Sequence, residues 1–138
     1  MYTVAPEDRA HFGTHRWMSD PAAGLPAWLE LRWNEPVPVR EVQLVFDTGM
    51  HRFLTLSQAD GDTQRILWGQ PQPEAVRDYI IEVETAAGWR EVKRVVGNFQ
   101  RRRVHVLESS VSVDAIRVTV TATIGLNHVR VFEVRAYA

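Results

Sequence analysis

Three consecutive arginines, Arg101, Arg102 and Arg103, stand where polar and apolar residues alternate. On a strand such a run sends Arg101 and Arg103 to one face and Arg102 to the other. A fork of guanidinium groups suits a carboxylate, a phosphate or a sugar hydroxyl. The plainer alternative is that a carboxylate such as Asp78 or Glu108 holds one arginine while the others are solvated. Trp68 shares its stretch with Arg52 and Arg65. There an indole beside guanidinium groups either stacks on a sugar or docks a partner, or it simply staples its own loop.

Other chemistries find little support. The chain has no Cys, which removes disulfides, thiolate catalysis and Cys-ligated zinc. Of the five His, His11 and His15 flank Gly13 in a loop without a Glu placed as in a zinc-peptidase helix, and His51, His105 and His128 are scattered. No metal site is expected. Glu82 and Glu84 share a strand face, whereas glycosidases need two acids held across a cleft. No Gly-x-Ser-x-Gly elbow exists, and the Ser, His and Asp residues show no spacing that favours a triad. The eight Gly are scattered through turns with no Gly-x-Gly-x-x-Gly after a strand, so the dinucleotide fingerprint is missing. The expectation is a non-catalytic domain with no flavin or nicotinamide cofactor.

At 138 residues the chain suits one core and is short for two, so residues 1–138 are read as a single domain. A hydrophobic fraction of 45% and a charged fraction of 24% are average for globular chains. A net charge of -1 supplies no global field for nucleic acid or an anionic membrane. No stretch approaches the roughly 20 apolar residues of a spanning helix, and residues 1–17 lack a basic start followed by an apolar run, so no signal peptide is visible. The compartment stays unassigned.

The elements that must position these residues read as strands. Residues 1–24, broken by Pro6, Gly13, Asp20-Pro21 and Gly24, form an irregular leading loop that Trp17 pins to the body. Leu25 to Trp33 alternates, with Leu29, Leu31 and Trp33 on one side and Trp28, Glu30 and Arg32 on the other, until Pro36 and Pro38 stop it. Val42 to Phe46 follows, closed by Asp47-Thr48-Gly49. Residues 50–76 are a long insertion, with Phe53, Leu54 and Leu56 as a short strand and Asp60-Gly61-Asp62 as a turn; it is either a functional loop or a cover for an open edge. Arg77 to Glu108 reads as a three-stranded meander with turns at Ala87-Gly88 and Gly97-Asn98. Val111 to Val113, Ala115 to Thr123 and Val129 to Tyr137 complete the set. The phase places Val42, Leu44, Phe46, Ile81, Val104, Val106, Ile116, Val118, Val120, Phe132 and Val134 in one core, and Trp28, Trp33 and Trp89 as core or edge packing. Short strands without a helical period predict an all-β antiparallel sandwich.

Three stretches, LPAWLELRWNEPVPVREVQLVFDTG, VRDYIIEVETAAGWREVKRVVGNFQRRRVHVLE and VSVDAIRVTVTATIGLNHVRVFEVRAY, resemble the galactose-binding-like β-sandwich of the discoidin, or coagulation factor 5/8 type C, class. More narrowly, GNFQRRRVH and WGQPQPEAVRDY look like the version at the C-terminus of bacterial FAD-dependent oxidoreductases. The resemblance implies an eight-stranded jelly roll used as an accessory module. Sugar-binding members often carry a structural calcium held by an Asp-rich leading loop and a Glu of the last strand. Glu133 matches that Glu, but Phe12-Gly13 stands where an Asp-Gly is expected, so the hard oxygen ligands are too few and the site is expected to be absent or degenerate.

Two functions follow as expectations. One is a non-catalytic module that binds carbohydrate or a similar polar ligand through loops at one end. The other is a structural module that packs against a catalytic domain, a FAD-dependent oxidoreductase or a hydrolase, and takes no small ligand. Function in a sandwich lies in the loops at its poles, so Arg52, Trp68, Asn98 and Arg101 are the candidate ligand-binding residues.

Overall fold

The computed structural model describes residues 16–49 and 71–138. These form six strands: β1 (Trp17–Met18), β2 (Ala27–Phe46), β3 (Val76–Thr85), β4 (Gly88–Val95), β5 (Arg102–Thr123) and β6 (Arg130–Tyr137). All pairings are antiparallel, in the order β1-β6-β2-β5-β3-β4. The strand and turn expected within residues 50–70, and residues 1–15, lie outside the described residues.

One continuous sheet makes two layers because its two longest strands bend. The first half of β2 pairs with the end of β5, Ala27 opposite Val120, and its second half with the start of β5, Val45 opposite Arg102. The register shifts between Arg32 and Val37 and again between Val39 and Glu41, and such bulges let a strand turn a corner into a second layer. Layer one is then β1, β6, the end of β2 and the start of β5. Layer two is the start of β2, the end of β5, β3 and β4. The rings of Phe46 and Tyr79, on strands that do not pair, meet across the interior with centroids 5.1 Å apart. The sandwich is therefore closed by side chains, as predicted, with Val42, Leu44, Phe46, Ile81, Ile116, Val118 and Val120 fully buried.

Several expectations need correction. Pro36 and Pro38 do not end a strand: Pro36 falls in the register gap, and Pro38 pairs with Ser112 on one side while the β6 ladder begins only at Glu41. A proline without a donor is tolerated at such an edge. The meander is also wrong. Gly88 (φ 102°) turns β3 into β4 as expected, but after Gly97 (φ 74°) the chain crosses to the other layer, so β5 pairs with β3 and β2 and leaves β4 at an edge. Val104 and Val106 point outward, 42% and 63% exposed, while His105 and Leu107 are buried. Phe132 is only half-buried, because a register shift between Val45 and Phe46 breaks the β6 ladder and hands the core position to Val131.

The inverted phase at His105 has a reason. Its Nε2 lies 2.6 Å from the Tyr79 hydroxyl, in a bond that crosses the core and satisfies both buried groups. Burial, then the charges of Arg103 and Lys93, pushes the His105 pKa down to about 4, and burial pushes Tyr79 up to about 12. An unfolded histidine titrates near 6.5, so between roughly pH 6.5 and 4 the unfolded chain takes up a proton that the folded chain refuses. This stability is fully present above pH 6.5 and is lost as the pH falls to about 4, by about 3 kcal/mol. Urea unfolding at pH 7 and pH 4 should give that much smaller a loss in His105→Gln, which does not titrate and still hydrogen-bonds Tyr79. Equal losses in both proteins would remove His105 from the account.

Candidate functional site

The crossing topology gathers at one pole residues 19–26, both described ends of the connection between β2 and β3 (residues 47–49 and 71–75), residues 96–101 and residues 124–129. They are tied together by backbone. Asn98 N–H donates to Arg77 O at 2.8 Å, Ile124 N–H to Ala75 O at 2.9 Å, and Gly125 and Leu126 N–H both to Pro73 O at 3.1 Å. Of the buried polar residues described, all but His105 sit here: Ser19, Asp47, Gln72, Glu74, Asn98, Thr123 and His128. Buried polar groups need partners. Asp47 Oδ2 accepts from Arg16 at 2.7 Å with Arg130 3.8 Å away, and its Oδ1 takes the Gly49 N–H at 2.8 Å. His128 Nε2 accepts from Arg130 Nε at 3.0 Å, which leaves the proton on Nδ1, facing Asn127 Oδ1 at 3.0 Å. Burial and the neighbouring Arg130 hold the His128 pKa below the usual histidine value.

Of the predicted site residues, Arg52 and Trp68 lie outside the described residues. Asn98 and Arg101 fall in one turn with different employment. Asn98 is buried; its Nδ2 donates to Val76 O (2.7 Å) and Gln100 O (3.2 Å), and its Oδ1 accepts from Gln100 N–H (3.2 Å) and Arg103 (2.9 Å). It is the lock of the turn. The same turn orients Asp78, which accepts the Gly97 N–H at 3.0 Å, and this bond above all holds its carboxyl below the usual range. Arg101 lies 4.8 Å above the centre of the Phe132 ring, and its buried Nη1 has no hydrogen-bond partner. Arg102 donates to Gln43 at 3.1 Å, so Arg102 and Arg103 are both held by amides, whereas the plainer alternative has one arginine on a carboxylate and the others solvated. Glu133 pairs with Arg135 at 2.6 Å. Among the described residues no three His, Asp or Glu side chains converge as a metal site.

Beside the pole runs a groove of about 430 Å³, walled by Trp17 of β1, residues 28–31 of β2 and residues 131–134 of β6. It lies where the two layers leave their edges unpaired among the described residues, since β2 meets β6 only from Glu41 onward. Trp28 is 54% and Trp17 36% exposed, so neither is a core residue, and of the two places expected for Trp28, core or edge, it takes the edge. Trp28 lies over the Arg117 guanidinium, 4.6 Å from its ring centre, and Trp89 holds that guanidinium's other side at 4.1 Å. Arg117 also donates to Glu30 at 3.0 Å, and this bond is the main reason the Glu30 carboxyl stays below its ordinary range. The groove was missed because indoles are usually buried, although Trp28 shares its strand face with Glu30 and Arg32.

No family model and no curated protein matches the sequence. Solved structures do match. The chain is similar to the family 32 carbohydrate-binding module of Streptococcus pneumoniae EndoD, with 18% identity and TM-score 0.62 over 88% of this chain and 74% of that one. It is similar to the family 32 module of C. perfringens NanJ, solved in complex with galactose, with 12% identity and TM-score 0.66 over 99% and 88%. It also resembles part of a glycoside hydrolase, with 17% identity and TM-score 0.54 over 88% of this chain and 21% of that one. The fold is thus the all-β, galactose-binding-like sandwich.

Proposed function

We propose that this domain is a non-catalytic accessory module that binds carbohydrate through the loops at its pole. The observation that carries the reading is the shared fold with carbohydrate-binding modules, one of them solved with galactose. The gathering of four connections at one pole supports it. In this reading Arg101 borders the contact surface, Arg52 and Trp68 join it from the insertion, and Asn98 shapes the turn that presents it. An indole stacks on the apolar face of a sugar and guanidinium groups hydrogen-bond its hydroxyls. An accessory role beside a catalytic domain is favoured by the match to one fifth of a glycoside hydrolase; the narrower oxidoreductase likeness rests on GNFQRRRVH and WGQPQPEAVRDY alone. No cofactor and no calcium enter this function.

The test is a glycan array with the wild type, Trp68→Ala and Arg101→Ala. Both variants are expected to melt with the wild type and to lose its glycan signal at least tenfold. If they fold normally and keep the signal, the pole does not bind the ligand, and if the wild type binds no glycan the reading fails.

A further inference from the structure

The groove beside the pole is built differently from the loops. Its walls are strands, whose positions packing fixes, and it offers two half-exposed indoles and the Phe132 ring beside the aliphatic chains of Leu29, Leu31 and Val134. Two carboxylates, Glu30 and Glu133, reach the same space, and each is already held by arginine: Glu30 by Arg32 and Arg117, Glu133 by Arg135. A carboxylate oxygen that accepts one such bond retains a second lone pair. The arginines neutralise the acids, so the groove offers neither a cation nor an anion a net attraction. What suits rings flanked by oriented, neutralised acceptors is a molecule with apolar faces and many uncharged hydroxyls. The volume falls within the roughly 300–1,000 Å³ usual for small-ligand sites.

We propose that this groove is a second saccharide site, taking a neutral oligosaccharide whose rings pack on Trp17 and Trp28 and whose hydroxyls donate to Glu30 and Glu133. It uses none of the loop-pole residues and stands or falls apart from them. A module with two such sites grips one glycan at two points, and linking two weak sites raises the overall affinity without any new contact.

Lactose and cellotetraose are titrated into 15N-labelled wild type, Trp17→Ala, Trp28→Leu and Trp68→Ala, and the indole N–H signals are followed. Leu at position 28 keeps an apolar cover on Arg117, and Trp17→Ala removes a ring from a two-residue strand, so one fold-preserving variant is secured. The expected result is a saturable shift of the Trp17 and Trp28 indole signals with at least one sugar. Either groove variant weakens it about tenfold or more, and Trp68→Ala leaves it intact. Still indole signals with both sugars, or unchanged affinity in both groove variants, overturn the site. Binding lost only in Trp68→Ala overturns the groove and leaves the loop pole standing; binding lost only in the groove variants does the reverse.

Discussion

Phe46→Ala is expected to cost about 3–5 kcal/mol of unfolding free energy. The ring is fully buried at the end of β2 and meets Tyr79 of the opposite layer at 5.1 Å, so its removal opens a cavity between layers that bulged strands cannot easily close. Urea unfolding of the purified variant measures it. Phe132→Ala, half-buried beneath Arg101, should cost about 1–2 kcal/mol. Equal costs at the two positions would contradict the assignment of Val131, and not Phe132, to the core.

Asp47→Ala is expected to be as damaging, about 3–5 kcal/mol, for an electrostatic reason. The carboxylate is fully buried, and it joins Arg16 before β1, the Gly49 amide after β2 and Arg130 at the start of β6. Removing it leaves guanidinium charge in a desolvated pocket, where an uncompensated ion costs far more than a lost surface pair. Asp47→Asn separates charge from shape: it keeps an acceptor for Gly49 but no countercharge, so it should fall close to the alanine variant. A loss below about 1 kcal/mol for both would mean that water reaches Arg16.

The sequence made the period of the strands legible, and with it most of the core, because alternation depends only on which face is wet. Partnership was not legible. Whether β4 or β3 lies beside β5 depends on the crossing after Gly97, and a tight turn predicts a neighbour without knowing that the chain changes layers there. The inversion at Val104 and His105 hides for a related reason: a valine pair outscores a histidine on hydropathy, and only the Tyr79 hydroxyl across the core makes His105 the better interior residue. At the pole, Asn98 is marked in the sequence by its place in a turn, but its amide is spent on holding that turn. Trp28 carried its own signal, an indole on the polar side of a strand, which the average burial of tryptophan concealed.

Because β2 and β5 each serve both layers, the domain's speed of folding is tied to one distant encounter. Ala27 must find Val120 and Val45 must find Arg102, and the β3–β4 hairpin is the only pairing of consecutive strands among those described. High contact order of this kind places a domain among the slower folders. The entropy of closing such a loop grows only with the logarithm of its length, about 0.6 kcal/mol per doubling. The connection that holds Arg52 and Trp68 lies inside that loop, so residues can be added to it or removed with little effect on the encounter that closes the sandwich.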